Sequence, residues 1–108
     1  MKLVYVCSPY KGDVEYNTAK AQGYCRFVSN QGDLPFAPHL HNTQFLDDAI
    51  KEERDEGMFL GLQMLCRSDE LWAFGGKISE GMMAEIDAAK GLGIPVIFYS
   101  DRCERRGE

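Results

Sequence analysis

The sequence predicts a small three-layer α/β/α domain on a four-stranded parallel sheet, and three observations carry that prediction. Short apolar runs rich in β-branched and aromatic residues recur along the chain, as in LVYVC, ELWAF and IPVIFY. Between them lie longer segments whose apolar residues repeat every three or four positions, the spacing of one helix face. Glycine or a Ser-Pro pair stands at the junctions. Strands alternating with helices imply right-handed crossovers and a sheet covered on both faces, an arrangement of the flavodoxin-like (Rossmann-like) type.

The first strand spans Leu3 to Cys7 and stops at the turn signal Ser8-Pro9. From Val14 to Asn30, the spacing of Ala21, Tyr24, Cys25 and Val28 predicts an amphipathic helix closed by Gly32. Leu34 to Ala37 reads as a second strand, and Pro38 to Phe45 has neither period and reads as a loop. Asp47 or Asp48 is placed to cap a long helix reaching Cys66, with acidic side chains near its positive end. Gly57 and Gly61 share a face of that helix at a cost of about 1 kcal/mol each relative to alanine, which suggests close approach of another backbone, such as that of a second subunit. Glu70 to Phe74 is the third strand, ended by Gly75 and Gly76. Ser79 reads as the cap of a helix from Glu80 to Leu92, Gly93 closes it, and Ile94 to Tyr99 is the fourth strand. The domain thus covers residues 1–100, and the charged tail 101–108, without apolar period, reads as a frayed end.

The chain has 108 residues, of which 44% are hydrophobic, enough to fill one core. Its 12 basic against 17 acidic side chains give a formal charge of −5, which argues against a nucleic-acid partner because backbone phosphates need clustered Lys and Arg. The four cysteines form no C-x-x-C pair, and the start runs into a strand without a secretory leader, so reduced thiols in the cytoplasm are expected. Apolar stretches fall well short of the ~18 to 20 residues of a membrane span, so no membrane partner is expected. Trp72, alternating within a strand, reads as core, and Met58, Met64, Met82 and Met83 as core or subunit contacts.

In open parallel α/β sheets, ligands bind beyond the carboxyl ends of the strands. That rule selects the loops 8–16, 38–45 and 75–81 and the segment after Tyr99. The third is the most informative: GGKISEGMMAE joins Gly75, Gly76 and the hydroxyl of Ser79 to a helix N-terminus that favours an anion, with Glu85 in the helix beyond. His39 and His41 form an H-x-H pair without a third ligand, so no metal is expected, and the pair reads as a pocket wall or as part of a plain structural loop. Tyr10 and Tyr16 suit stacking on a ligand or packing as lids, and Arg54 on the second helix suits either a phosphate contact or pairing with neighbours on its own helix.

The opening VYVCSPY, the strand DELWAFG, and SEGMMAE followed by AAKGLGIPV resemble the nucleoside 2-deoxyribosyltransferase superfamily over residues 1 to 100. They are similar in particular to its short, often phage-encoded members classed as a domain of unknown function. In that superfamily the last motif is D-x-G or S-x-G followed by x-x-x-E, matched here by Ser79, Gly81 and Glu85. The resemblance implies that Glu85 is a nucleophile attacking C1′ of a nucleoside or nucleotide, without a cofactor. Tyr10 is expected to hold the second oxygen of Glu85 by a hydrogen bond. Ser8, Pro9, His39, Gly75, Gly76, Ser79, Gly81 and Met82 are expected to line the substrate, with Asp13, His39 and Asp48 as candidates for the acid that protonates the leaving base. An Asp at the first motif position suits a free 5′-hydroxyl, whereas Ser79 removes a charge and offers a donor to a 5′-phosphate. The branch resembling deoxynucleoside 5′-monophosphate N-hydrolases carries Ser there, so the reading tilts toward monophosphates. The chain is short for the superfamily, so a homo-oligomer is expected in which a second subunit walls the pocket. A non-catalytic nucleotide-binding module is the alternative, and a flavin carrier fits less well because the first loop lacks a run of hydroxyl and glycine donors.

Overall fold

The alternation of LVYVC decides how the layers form. In the computed structural model, which describes residues 1–107, strand β1 (Leu3–Cys7) lies inside the sheet and every second side chain takes the same face. Val4 and Val6 pack with Tyr24 and Val28 of helix α1 (Val14–Asn30), whereas Tyr5 and Cys7 join Leu65, Ile86 and Ala89 on the opposite face. The single strand therefore contributes to two cores.

The other elements follow in the order β2 (Leu34–Phe36), α2 (Pro38–His41), α3 (Lys51–Leu65), β3 (Glu70–Phe74), α4 (Glu80–Gly91), β4 (Val96–Tyr99) and β5 (Arg105–Arg106). The sheet order is β2-β1-β3-β4-β5, the first four parallel, with Val6 opposite Trp72 and Ala73 opposite Phe98. The expected α/β class and four parallel strands are present. The chain turns from one side of the sheet to the other between β1 and β3, which is where a cleft opens at the strand ends in folds of this kind. Trp72 is buried in the core as expected. Among the described residues no helix is long and apolar enough to cross a membrane.

Four expectations are corrected. Within the tail, residues 101–107 form a short antiparallel return: β5 pairs with β4, Ser100 Oγ accepts the backbone N–H groups of Arg102 and Glu104, and Arg106 donates to the carbonyl of Gly75 at 2.9 Å. These are backbone and polar contacts, which an apolar-period reading does not detect. Residues 38–45 are a turn of helix α2 followed by a 3₁₀ turn, started by Pro38 and held by Thr43 Oγ1 donating to the His39 carbonyl at 2.7 Å. Helix α3 begins at Lys51 without a side-chain cap, because Asp47 is used one turn earlier, accepting from the Ala49 N–H and presenting its own N–H to Glu53. The glycines of α3 face groups of this same chain. A Cβ at Gly61 would stand 3.1 Å from the phenol oxygen of Tyr5, and one at Gly57 would meet Leu46 and Asn42 at ordinary contact distance. Met82 is buried, while Met58, Phe59, Leu62 and Met83 stand exposed.

Candidate functional site

Helix α4 starts as its sequence predicts. Ser79 is the N-cap, its Oγ accepting the Met82 N–H at 3.2 Å. The next turn brings Glu85 under the sheet, where the carboxylate meets two side chains of β1. Tyr5 donates its hydroxyl to Oε2 at 2.6 Å, and Cys7 donates its thiol to Oε1 at 3.3 Å. Tyr5 and Cys7 are two residues apart on one strand, so the pleat aims both at the same helix. Gly61, across on α3, leaves the room that the Tyr5 hydroxyl occupies.

The hydrogen bond expected from Tyr10 to Glu85 is thus made by Tyr5. Tyr10 lies in the loop after β1 and stacks instead on His39, with ring centroids 4.8 Å apart and planes 21° from parallel. Burial pushes the Glu85 carboxyl above its ordinary value, partly opposed by the hydrogen bonds from Tyr5 and Cys7. The same burial, reinforced by the Glu85 charge, pushes the Tyr5 hydroxyl and the Cys7 thiol up, so both keep their protons and act as donors. Burial lowers the pKa of His39, with the Ser8 backbone and Asp48 pulling the other way.

Two openings lie among the loops that follow the strands. A cleft of about 720 Å³ is lined by Tyr10, Val14, Phe45, Asp47, Asp48 and Glu53, among others. A crevice of about 160 Å³ at the ends of β1 and β3 is lined by Pro9, Gly75, Gly76, Lys20 and Lys77, with Asp101 at its edge. Gly75 has φ +120, a conformation that side-chain-bearing residues rarely adopt, so the turn there depends on glycine.

The expected site residues therefore fall into three groups. Tyr10 and His39 meet each other, and Tyr10 borders the larger cleft. Pro9, Gly75 and Gly76 share the smaller crevice. Ser79, Gly81, Met82 and Glu85 lie along the first two turns of α4, Met82 buried and Ser79 exposed. Neither opening is lined by Glu85 itself. Ser8 is buried, its Oγ without a partner among the described residues. Of the acid candidates, Asp13 is engaged in capping α1 through the Tyr16 N–H, while Asp48 faces the larger cleft. Among the described residues no cluster of three His, Cys, Asp or Glu is arranged to hold a metal ion. Sequence reasoning passed over Tyr5 and Cys7, and read Gly61 as a backbone contact rather than as room for Tyr5. The signal for the first two was the strand period that puts positions 5 and 7 on one face.

Solved structures of similar fold include the 2-deoxyribosyltransferase of Bacillus psychrosaccharolyticus, at 20% identity and a TM-score of 0.73 over 91% of this chain and 72% of that one. The 2-desoxiribosyltransferase of Leishmania mexicana matches at 17% identity and a TM-score of 0.64, over 93% of this chain and 65% of that one. A conserved protein of Enterococcus faecalis V583 matches at 20% and 0.61, over 94% and 65%. The chain thus spans 65% to 72% of the length of these neighbours, and at such identities the likeness is one of fold. No curated protein matches by sequence. A family model described as Domain of unknown function (DUF7768) matches residues 2–99, and the chain belongs to that family.

Proposed function

We propose that this protein handles nucleosides or nucleotides and cleaves the bond between base and sugar, with Glu85 as the nucleophile. The observation that supports this best is the carboxylate itself: Glu85 is held at both oxygens, by Tyr5 and Cys7, near the carboxyl end of β1 and the start of α4. An oriented, partly desolvated carboxylate is suited to attack at an anomeric carbon. One oxygen of Glu85 bonds to C1′, the C1′–N bond breaks, and its electron pair passes to the base nitrogen, which takes a proton. Water or a second base then resolves the glycosyl ester, giving hydrolysis or transfer.

In this reading the base lies toward the Tyr10–His39 stack, with Asp48 facing the cleft as the group that relays the proton. Ser8, Pro9, Gly75, Gly76, Gly81 and Met82 surround the sugar and its 5′ end. The Ser79 hydroxyl, whose oxygen already accepts the Met82 N–H, keeps its own hydrogen for a 5′-phosphate, which favours monophosphates as ligands. A homo-oligomer supplying a further pocket wall belongs to the same reading. The two neighbours whose names describe them as deoxyribosyltransferases support the substrate class.

The reading is tested by chromatographic detection of base release from deoxyribo- and ribonucleosides and their 5′-monophosphates, with and without an acceptor base. Wild type is expected to release base and Glu85→Gln to lose at least a thousandfold in rate, on the order of what removal of a nucleophile costs, while retaining ligand binding. An equal rate in both proteins sinks the nucleophile assignment. The second reading, a non-catalytic nucleotide-binding module, is favoured by one feature: both openings are lined by residues other than Glu85. Silence across the panel, with ligands that still raise the melting temperature, selects it.

A further inference from the structure

Cys7 is fully buried, and its Sγ lies 3.3 Å from Glu85 Oε1 and 3.8 Å from the Met82 carbonyl oxygen. It is a donor of a particular kind. A thiol is a weaker hydrogen-bond donor than a phenol, so the two oxygens of Glu85 are held unequally, Oε2 at 2.6 Å by Tyr5 and Oε1 at the longer distance by Cys7. The closely bonded oxygen shares more of its electron density with the donor. The loosely held one stays available at small cost in hydrogen bonding.

We propose that Cys7 is a positioning residue for the glycosidic chemistry: its thiol aligns Glu85 so that Oε1 is the oxygen that attacks C1′, while Tyr5 anchors Oε2. This rests on the function proposed above. During attack the Oε1–C1′ bond forms, the C1′–N bond breaks toward the base, and Cys7 keeps its proton throughout. Burial away from solvent keeps the thiol from acting as a nucleophile in its own right. The core cluster that Tyr5 and Cys7 join on this face of the sheet is apolar. Leu71 and Ala73 of β3, Leu65 of α3, and Met82, Ile86 and Ala89 of α4 form that cluster with them. The charged residues of α4 itself, Glu80, Asp87 and Lys90, are exposed.

The test compares wild type, Cys7→Ala and Cys7→Ser by two readouts. The first is the titration of Glu85 followed by carbon NMR of side-chain-labelled glutamate, its signal assigned by its loss in Glu85→Gln. The second is the pH dependence of kcat/KM for base release. In Cys7→Ala the Glu85 midpoint is expected to rise by about one unit, the scale of a lost hydrogen bond to a charged group, and the acid limb of the rate profile to rise with it. Cys7→Ser, which restores a donor, is expected to return most of that shift. A midpoint in Cys7→Ala equal to that of wild type overturns the proposal, as does Cys7→Ser behaving like Cys7→Ala. Should the variants not fold, the infrared S–H stretch of wild type is compared with that of Glu85→Gln. A band moving to higher frequency on losing the carboxylate supports the proposal, and an unmoved band overturns it. If wild type releases no base, the glycosidic reading and the attacking-oxygen assignment fall together, while the titration separately shows whether Cys7 holds Glu85.

Discussion

At the scale of single residues, the buried Glu85 carboxylate is a stability liability near neutral pH. Burial raises its pKa above the ordinary carboxylate value in the folded chain, with the Tyr5 and Cys7 donors offsetting only part. The folded state therefore binds the proton more tightly than the unfolded state does. The stability this gives is fully present below the ordinary carboxylate pKa and is lost as pH rises through the raised folded value. Glutamine keeps the shape without the charge. Glu85→Gln is accordingly expected to melt above wild type near pH 7, with the gap closing as the pH falls below the ordinary carboxylate value. Melting curves across that range check it, and a gap independent of pH would refute the burial argument. Glu85 was legible in the sequence because motif and helix start coincide. Its partners were not, because Tyr10 sits in a loop of the expected kind and Tyr5 inside a run that reads as core. Only the pleat of β1, which sends positions 5 and 7 to the α3 and α4 face, distinguishes them.

At the scale of elements, helix α3 shows how one pattern can have two causes. Gly57 and Gly61 look alike in the sequence, yet only Gly61 faces a group of the site. A Cβ at Gly61 would crowd the Tyr5 hydroxyl at 3.1 Å, whereas at Gly57 the nearest atom is Leu46 Cδ1 at 3.6 Å. Replacing a helical glycine by alanine gains about 1 kcal/mol where the space is free. Gly57→Ala is expected to stabilise the fold by an amount of that order in urea denaturation. Gly61→Ala is expected to show little or no gain and to slow base release by disturbing the Tyr5–Glu85 bond. Equal stabilisation by both, with activity intact, would mean that Tyr5 yields without consequence. The long helix was legible and its beginning was not: Asp47 looks like a cap, but it closes a preceding turn through the Ala49 N–H. The α2 and 3₁₀ turns were invisible to periodicity because each is too short to show a repeat.

At the scale of the whole molecule, the four parallel strands follow from their apolar runs, while the fifth depends on contacts that composition hides. β5 consists of Arg105 and Arg106, both exposed, joined to β4 by backbone pairing and a turn built on Ser100. Among the described residues β5 makes one side-chain hydrogen bond to a distant part of the chain, and it reaches the loop after β3. The Arg106 guanidinium donates at 2.9 Å to the carbonyl of Gly75, the glycine whose positive φ shapes the loop between β3 and α4. A charge-assisted bond to a partly exposed carbonyl is worth about 1 kcal/mol net, so Arg106→Ala is expected to lower stability by that order without changing the cooperativity of unfolding. The loss should be local. Amide exchange is expected to quicken in residues 75–78, the stretch that leads to the Ser79 cap, and to stay unchanged in β1 and β2, whose pairing does not involve the tail. If exchange in residues 75–78 matches wild type, the tail covers the edge of β4 and nothing more. If it quickens there, the C-terminal return helps hold the loop on which the proposed ligand contacts at Gly75 and Gly76 depend.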